Sequence, residues 1–280
     1  MSARRRPDVK RFLLGGLAIM LSFIVFVVPF AFIALTAVKD RQQSAQLDFS
    51  WPVHFQLVQN FRDVIAARDY MVIIAFINST ILTVASVSVM VVLAAMVAFV
   101  LQRRVTRWTG LINFLVLSGL IIPPAVVPTI WVLQGLGLFR TMPGLILIEV
   151  AFGLSFSILL FRAFIATIPR DLDEAATIDG AGPVRLFARV VFPLLRSVAI
   201  TVIVVQSVVV FNDFTNPLYF LPGDQNATVQ LTLYNFQSQY ATQYNLLFMN
   251  MLLITIPPLL MFMFFNHRIV AGLTSGAIKG

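Results

Sequence analysis

From Phe12 to Thr36 the sequence runs without a charged side chain. At 1.5 Å of rise per residue, a helix of roughly 25 residues covers the ~30 Å hydrocarbon core of a bilayer. Comparable apolar runs follow at about 71–101, 109–133, 143–167, 197–221 and 246–265, each parted from the next by a polar or charged gap. Only 11% of the residues are charged, with 59% hydrophobic, whereas an ordinary soluble domain carries about 25% charged residues. The pattern predicts an all-α integral membrane protein of about six transmembrane helices, spanning residues 1–280 as a single domain. A signal peptide is the competing reading of the first run, since Ala34 and Ala37 are small. The run is far longer than the usual apolar region of about 7–15 residues, so a retained anchor is expected.

Charge placement orients the spans. Fifteen of the 20 Lys and Arg residues fall in the N-terminal stretch, residues 102–108, residues 162–197 and the C-terminal tail; the remaining five are Lys39, Arg41, Arg62, Arg68 and Arg140. By the positive-inside rule both termini and residues 168–197 are expected in the cytoplasm of a multi-pass protein of the cell (inner) membrane. The net charge of +8 does not indicate nucleic acid, because the basic residues sit at span ends and form no stripe. Cysteine is absent, which excludes disulfides and thiolate metal sites. There is no GxxxxGK[ST] phosphate loop and no HExxH, and the two histidines, His54 and His267, are far apart. No catalytic residues, metal site or cofactor of the chain's own are therefore expected.

Several spans carry features that a lipid-facing helix avoids. Pro123, Pro124 and Pro128 in the third run remove backbone donors and should kink or break it, which is tolerated at membrane depth only against protein or a cavity. Pro257 and Pro258 should likewise break the sixth. Asn78, Ser79, Thr83, Ser86 and Ser88 in the second are expected to pack helix against helix. Glu149, Gln206, Asn212 and Asp213 are candidate residues of a translocation path, because an ionisable side chain within a span faces protein or water. Residues 37–70 make the longest polar connection and are expected to include a short surface helix.

The polar stretch Glu174–Pro193 reads EAATIDGAGPVRLFARVVFP. Asp171, Asp173 and Glu174 favour the positive end of a helix dipole, and Pro169 can occupy a first turn. Leu172, Ala175, Ala176 and Asp179 then share one face whose middle carries only methyl groups. Gly180 can take the left-handed conformation that ends a helix, and Pro183 can open a second helix. The expected form is a helix-elbow-helix. A solvated hairpin between two spans has the same composition.

The motif favours a particular use. Glu174-Ala175-Ala176, three residues, Gly180, nine residues, Val190, one residue and Phe192-Pro193 resembles the EAA loop of ABC importer permeases; Ser197 stands where many relatives have proline. The form EAATIDGAG with Phe187 and Pro193-Leu194-Leu195 is similar to the carbohydrate-uptake branch, as is FNDFTNPLYFL, with Phe211 replacing the usual tryptophan. The tail Arg268–Gly280 resembles that of the maltose-transporter G-subunit type.

The resemblance implies a permease paired with a homologous second permease, an ATPase dimer that binds ATP and Mg, and an extracytoplasmic solute-binding protein, moving a carbohydrate across the bilayer. It implies that Glu174, Ala175, Ala176, Asp179, Gly180, Arg185, Phe187, Val190 and Pro193 form the coupling loop, and that Gly272, Leu273, Thr274 and Gly276 in the tail touch the ATPase. A secondary transporter using Glu149 and Asp213 as an ion relay is the alternative, as is a scaffold that only recruits a partner. Glycerol phosphates stay open beside disaccharides, oligosaccharides and polyols as the solute.

Overall fold

The computed structural model describes residues 9–239 and 243–275, and every regular element among them is helical. In chain order these are α1 (Val9–Ala37), α2 (Arg41–Ser44), α3 (Leu57–Arg103), α4 (Thr109–Ile121), α5 (Val126–Gly135), α6 (Met142–Ile165), α7 (Asp171–Ile178) and α8 (Pro183–Leu186). A π-helical turn (Phe187–Val191), α9 (Phe192–Leu194), α10 (Arg196–Phe211), α11 (Thr215–Phe220), a 3-10 turn (Asp224–Asn226), α12 (Val229–Gln239) and α13 (Tyr244–Ser275) complete the chain. Four helices are long and apolar enough to cross a membrane, within α1, α3, α6 and α13. The segment Pro183–Leu194 and α10 pass the same test together, bent by 75°, and α4 and α5 are shorter apolar helices. The chain divides into two compact units, the residues up to Tyr70 with Leu233–Thr255, and Met71–Thr232 with the residues from Ile256 onward.

The first unit is tied together by polar side chains. Lys39 is fully buried, and its Nζ donates to the Asp48 carbonyl at 2.7 Å and to Asp48 Oδ1 at 2.8 Å. The ammonium and the Ser50 hydroxyl hold the Asp48 carboxyl down from 3.8 to about 2. Asn60 Nδ2 donates to the carbonyls of Ala37 and Lys39, while its Oδ1 accepts from Asn245 Nδ2 at 2.8 Å. Phe32 packs against both Phe49 and Phe248. The long connection is thus anchored by buried hydrogen bonds, with α2 and the start of α3 as its helical pieces.

Helical geometry in α3 lapses at Ala67 and through Arg68, Asp69 and Tyr70, which have φ of 49°, 52° and 61°. It resumes at Met71, where the second apolar run begins. In the second unit the prolines act as expected on the third run. Ile122 is forced into an extended conformation before Pro123, with ψ 121°. The chain restarts as α5, with Pro128 in the first turn where its missing donor is harmless.

Two runs differ from the sequence reading. The fifth, expected as one helix over about 197–221, stops at Phe211, because Asp213 Oδ1 accepts from the Thr215 N–H at 2.8 Å and the Asn216 N–H at 3.3 Å and so starts a new helix. In the sixth, α13 continues through Pro257 and Pro258. Membrane helices accommodate such residues when neighbouring groups and small adjustments satisfy the freed carbonyls.

Candidate functional site

The stretch 171–195 folds as two short helices around an elbow. Asp171, Asp173 and Glu174 occupy the first turn of α7; Pro169 lies just ahead of it, before Arg170. Gly180 has φ +79°. Its N–H donates to the Thr177 carbonyl at 3.0 Å and the Ala181 N–H to the Ala176 carbonyl at 2.9 Å. This paired pattern is the Schellman closure that a left-handed residue allows. A Cβ added at Gly180 would meet nothing within 4 Å, so the glycine is needed for its backbone and not for space. Pro183 opens α8, and the chain then widens into the π turn before bending into α10 at Leu195, which is fully buried.

The elbow projects its tip and packs its base. Glu174, Ala175, Asp179, Gly180, Arg185 and Pro193 are exposed, and Ala176, Phe187 and Val190 are half-buried. Ile178 and Val184, on either side of the elbow, are 86% and 82% exposed, and the sequence reading had not singled them out. Phe187 stacks between Phe99 and Phe192, with ring centroids 5.5 and 5.7 Å apart. The tail positions Gly272, Leu273 and Thr274 fall on the last turns of α13, whereas Gly276 lies outside the described residues.

A second feature is a cavity of about 610 Å³ walled by α6, α10 and α11. Glu149, Phe152, Gly153 and Phe156 recur at i, i+3, i+4 and i+7 on α6, as do Gln206, Val209, Val210 and Asp213 at the end of α10, and all eight line it. Glu149, only 4% exposed, accepts from Asn216 Nδ2 at 3.2 Å and has Asp213 beside it. Gln206 is committed to packing, since its Nε2 donates to the Gly153 carbonyl and to Ser157 Oγ, each at 3.1 Å. Pro124, from the break between α4 and α5, closes part of the wall.

Of the four expected path residues the structure brings together Glu149, Gln206 and Asp213 and leaves Asn212 outside the lining. Asn212 is exposed, donates to the Val208 carbonyl and accepts from Gln230 Nε2 at 2.9 Å. Asn216 takes its place in the wall. The signal for it was the sequence Asp-Phe-Thr-Asn-Pro, in which an aspartate cap and a first-turn proline announce a new helix and put Asn216 three residues past the cap.

Membrane-long helices, an interior cavity with buried polar groups and a projecting helical elbow define a multi-pass transport protein of the membrane. Residues 90–275 match the family described as binding-protein-dependent transport system inner membrane component, and the chain belongs to that family. It is 31% identical to the diacetylchitobiose uptake system permease NgcG of Streptomyces coelicolor, over 91% of this chain and 85% of the relative. It is 32% identical to the melibiose/raffinose/stachyose import permease MelC of Bacillus subtilis, over 74% and 76%. A chain from the crystal structure of a bacterial ABC transporter that imports alginate shares the fold with a TM-score of 0.81 at 17% identity, covering 95% of this chain and 99% of that one. The resemblance to ABC importer permeases drawn from residues 174–193 is borne out, and the chain is a transport component.

Proposed function

We propose that this chain is one of two membrane-spanning permease subunits of an ATP-driven importer of carbohydrates. It encloses the translocation path with a homologous permease, receives solute from an extracytoplasmic binding protein, and couples through residues 168–197 to an ATPase dimer that holds ATP and Mg. Both termini and the elbow lie in the cytoplasm, where the Lys and Arg bias puts them. The observation that carries the coupling role is the elbow itself, a glycine-dependent turn whose flanking Ile178 and Val184 stand out from the chain. Exposed apolar side chains of this kind, rimmed by Glu174 and Asp179, fit a groove on a soluble partner. Ala175, Ala176 and Gly180 permit close approach, and the tail positions Gly272, Leu273, Thr274 and Gly276 add a further contact to the ATPase.

The cavity supports a neutral polyhydroxyl solute. Its lining offers the carboxyls of Glu149 and Asp213 and the amides of Gln206 and Asn216 beside the rings of Phe152 and Phe156, with no Lys, Arg or His among the described residues that form it. Carboxylates and amides accept from and donate to hydroxyls, while an anionic solute such as a glycerol phosphate would face carboxyls without a cation. The relatives named above take up saccharides by their descriptions. The test is recovery of the ATPase with the tagged permease: Glu174→Lys should lower recovery and uptake together. Unchanged recovery with unchanged uptake would refute the coupling role.

A further inference from the structure

The cytoplasmic end of α3 is fastened to both halves of the elbow by side chains one helical turn apart. Phe99 and Arg103, at i and i+4, share a face of α3. Arg103 Nε stands 2.7 Å from Asp173 Oδ2, with the two side chains 9% and 16% exposed. The contact is an ion pair without the alignment of a directed hydrogen bond, and Asp173 Oδ1 is buried with no hydrogen-bond partner. Arg103 Nη2 also donates to the Ile168 carbonyl at 3.0 Å, just ahead of α7. One guanidinium therefore holds both the approach to α7 and its first turn, while Phe99 meets Phe187 in the π turn on the other side of the elbow.

We infer that Arg103 and Asp173 are positioning residues that carry movement of the elbow into α3, so that the second span, and not only the third to fifth, is driven by the ATPase. The inference rests on the coupling role proposed for the elbow. Read from the sequence, Arg103 was one of three arginines closing a span. Arg104 and Arg107 are exposed and keep that role, whereas Arg103 is turned inward to the elbow. A displacement of α7 cannot leave Arg103 in place without separating a partly buried ion pair and a carbonyl bond, which gives the two conformations of the elbow different energies at α3. A difference of that kind is what coupling requires.

The experiment uses the whole importer in proteoliposomes, with Arg103→Gln, Asp173→Asn and the double variant, scoring ATPase recovered with the permease and solute taken up per ATP hydrolysed. Recovery should be unchanged, because neither residue is at the exposed tip. Each single variant should lower uptake per ATP by about 5- to 150-fold, the usual range for coupling between sites. The double variant should be no worse than either single, since both remove the same link. A normal uptake-to-ATP ratio in the single variants, effects that multiply in the double, or loss of ATPase recovery would each overturn the inference. Gly180→Pro measured in parallel separates the claims. If it uncouples while Arg103→Gln and Asp173→Asn do not, only the route through α3 fails; if it too behaves as the parent, the coupling role of the elbow fails and takes the route with it.

Discussion

Replacing Gly180 tests whether the elbow's shape is what a partner reads. Its φ of +79° is a conformation in which an L side chain costs about 1–2 kcal/mol. No steric contribution adds to this, because a Cβ there meets nothing within 4 Å. Alanine also restricts the unfolded chain, which offsets roughly 0.4–1 kcal/mol. The net for Gly180→Ala is a loss of about 1 kcal/mol, equivalent to a roughly fivefold fall in the fraction of elbows correctly closed. Asparagine tolerates the left-handed region better and should lose less. Proline fixes φ near −65° and deletes the N–H that donates to Thr177, so it should abolish the closure. Assembled complexes carrying Gly, Asn, Ala or Pro at this position should rank in that order for ATPase attachment and for solute uptake. If Ala matches the parent in both, or Asn falls below Ala, the elbow is not read through its backbone and the reasoning is wrong.

Gln206→Met keeps the bulk of the side chain and removes two interhelical hydrogen bonds, at roughly 0.6 kcal/mol each in a membrane; denaturant titration of the purified complex should show a loss of about 1.2 kcal/mol with uptake per assembled complex little changed. Abolished uptake at unaltered stability would instead make Gln206 a solute contact. Asn216→Leu should reduce uptake more than Asn212→Leu, because Asn216 lines the cavity and Asn212 bonds Gln230 outside it; equal losses would deny the cavity its role. Asp48 has a folded pKa of about 2 against an ordinary 3.8, so its pairing with Lys39 contributes stability that is fully present above about pH 4 and is lost as pH falls through 2. Asp48→Asn should therefore lower stability at neutral pH and flatten its fall in that acid window, as seen by acid unfolding; an unaltered acid limb would contradict the pairing.

What was legible in the sequence is what short-range rules govern. The elbow followed from Gly180 and Pro183, and the break in the third run from Pro123 and Pro124, because φ limits and missing donors act within a few residues. The i, i+3, i+4, i+7 stripe bearing Glu149, Phe152, Gly153 and Phe156 was equally present, but without its partner helix it could not be told from ordinary packing. The end of α10 was missed by ten residues, since apolarity continues past Phe211 while a single carboxylate at Asp213 starts a new helix. Once the helix stops, the periodicity that grouped Asn212 with the interior no longer applies, and the side chain turns to Gln230. The pairing of Arg103 with Asp173 joins residues 70 apart in the chain, a relation that no local pattern encodes.

The π turn at Phe187–Val191 makes the stretch between elbow and span a matter of counting. A π turn holds one more residue than an α turn and often marks where a helix has absorbed an insertion. Deleting any one of those five residues would let the turn relax to α geometry. Everything beyond it would then rotate by about 100° relative to the elbow, taking Phe192 off Phe187 and turning α10 away from the cavity. Surface loops elsewhere in a protein accept such changes of length, but this stretch would not, even if every side chain were retained. The interval of nine residues between Gly180 and Val190 thus behaves as a gear ratio, in which the number of teeth matters more than what each is made of.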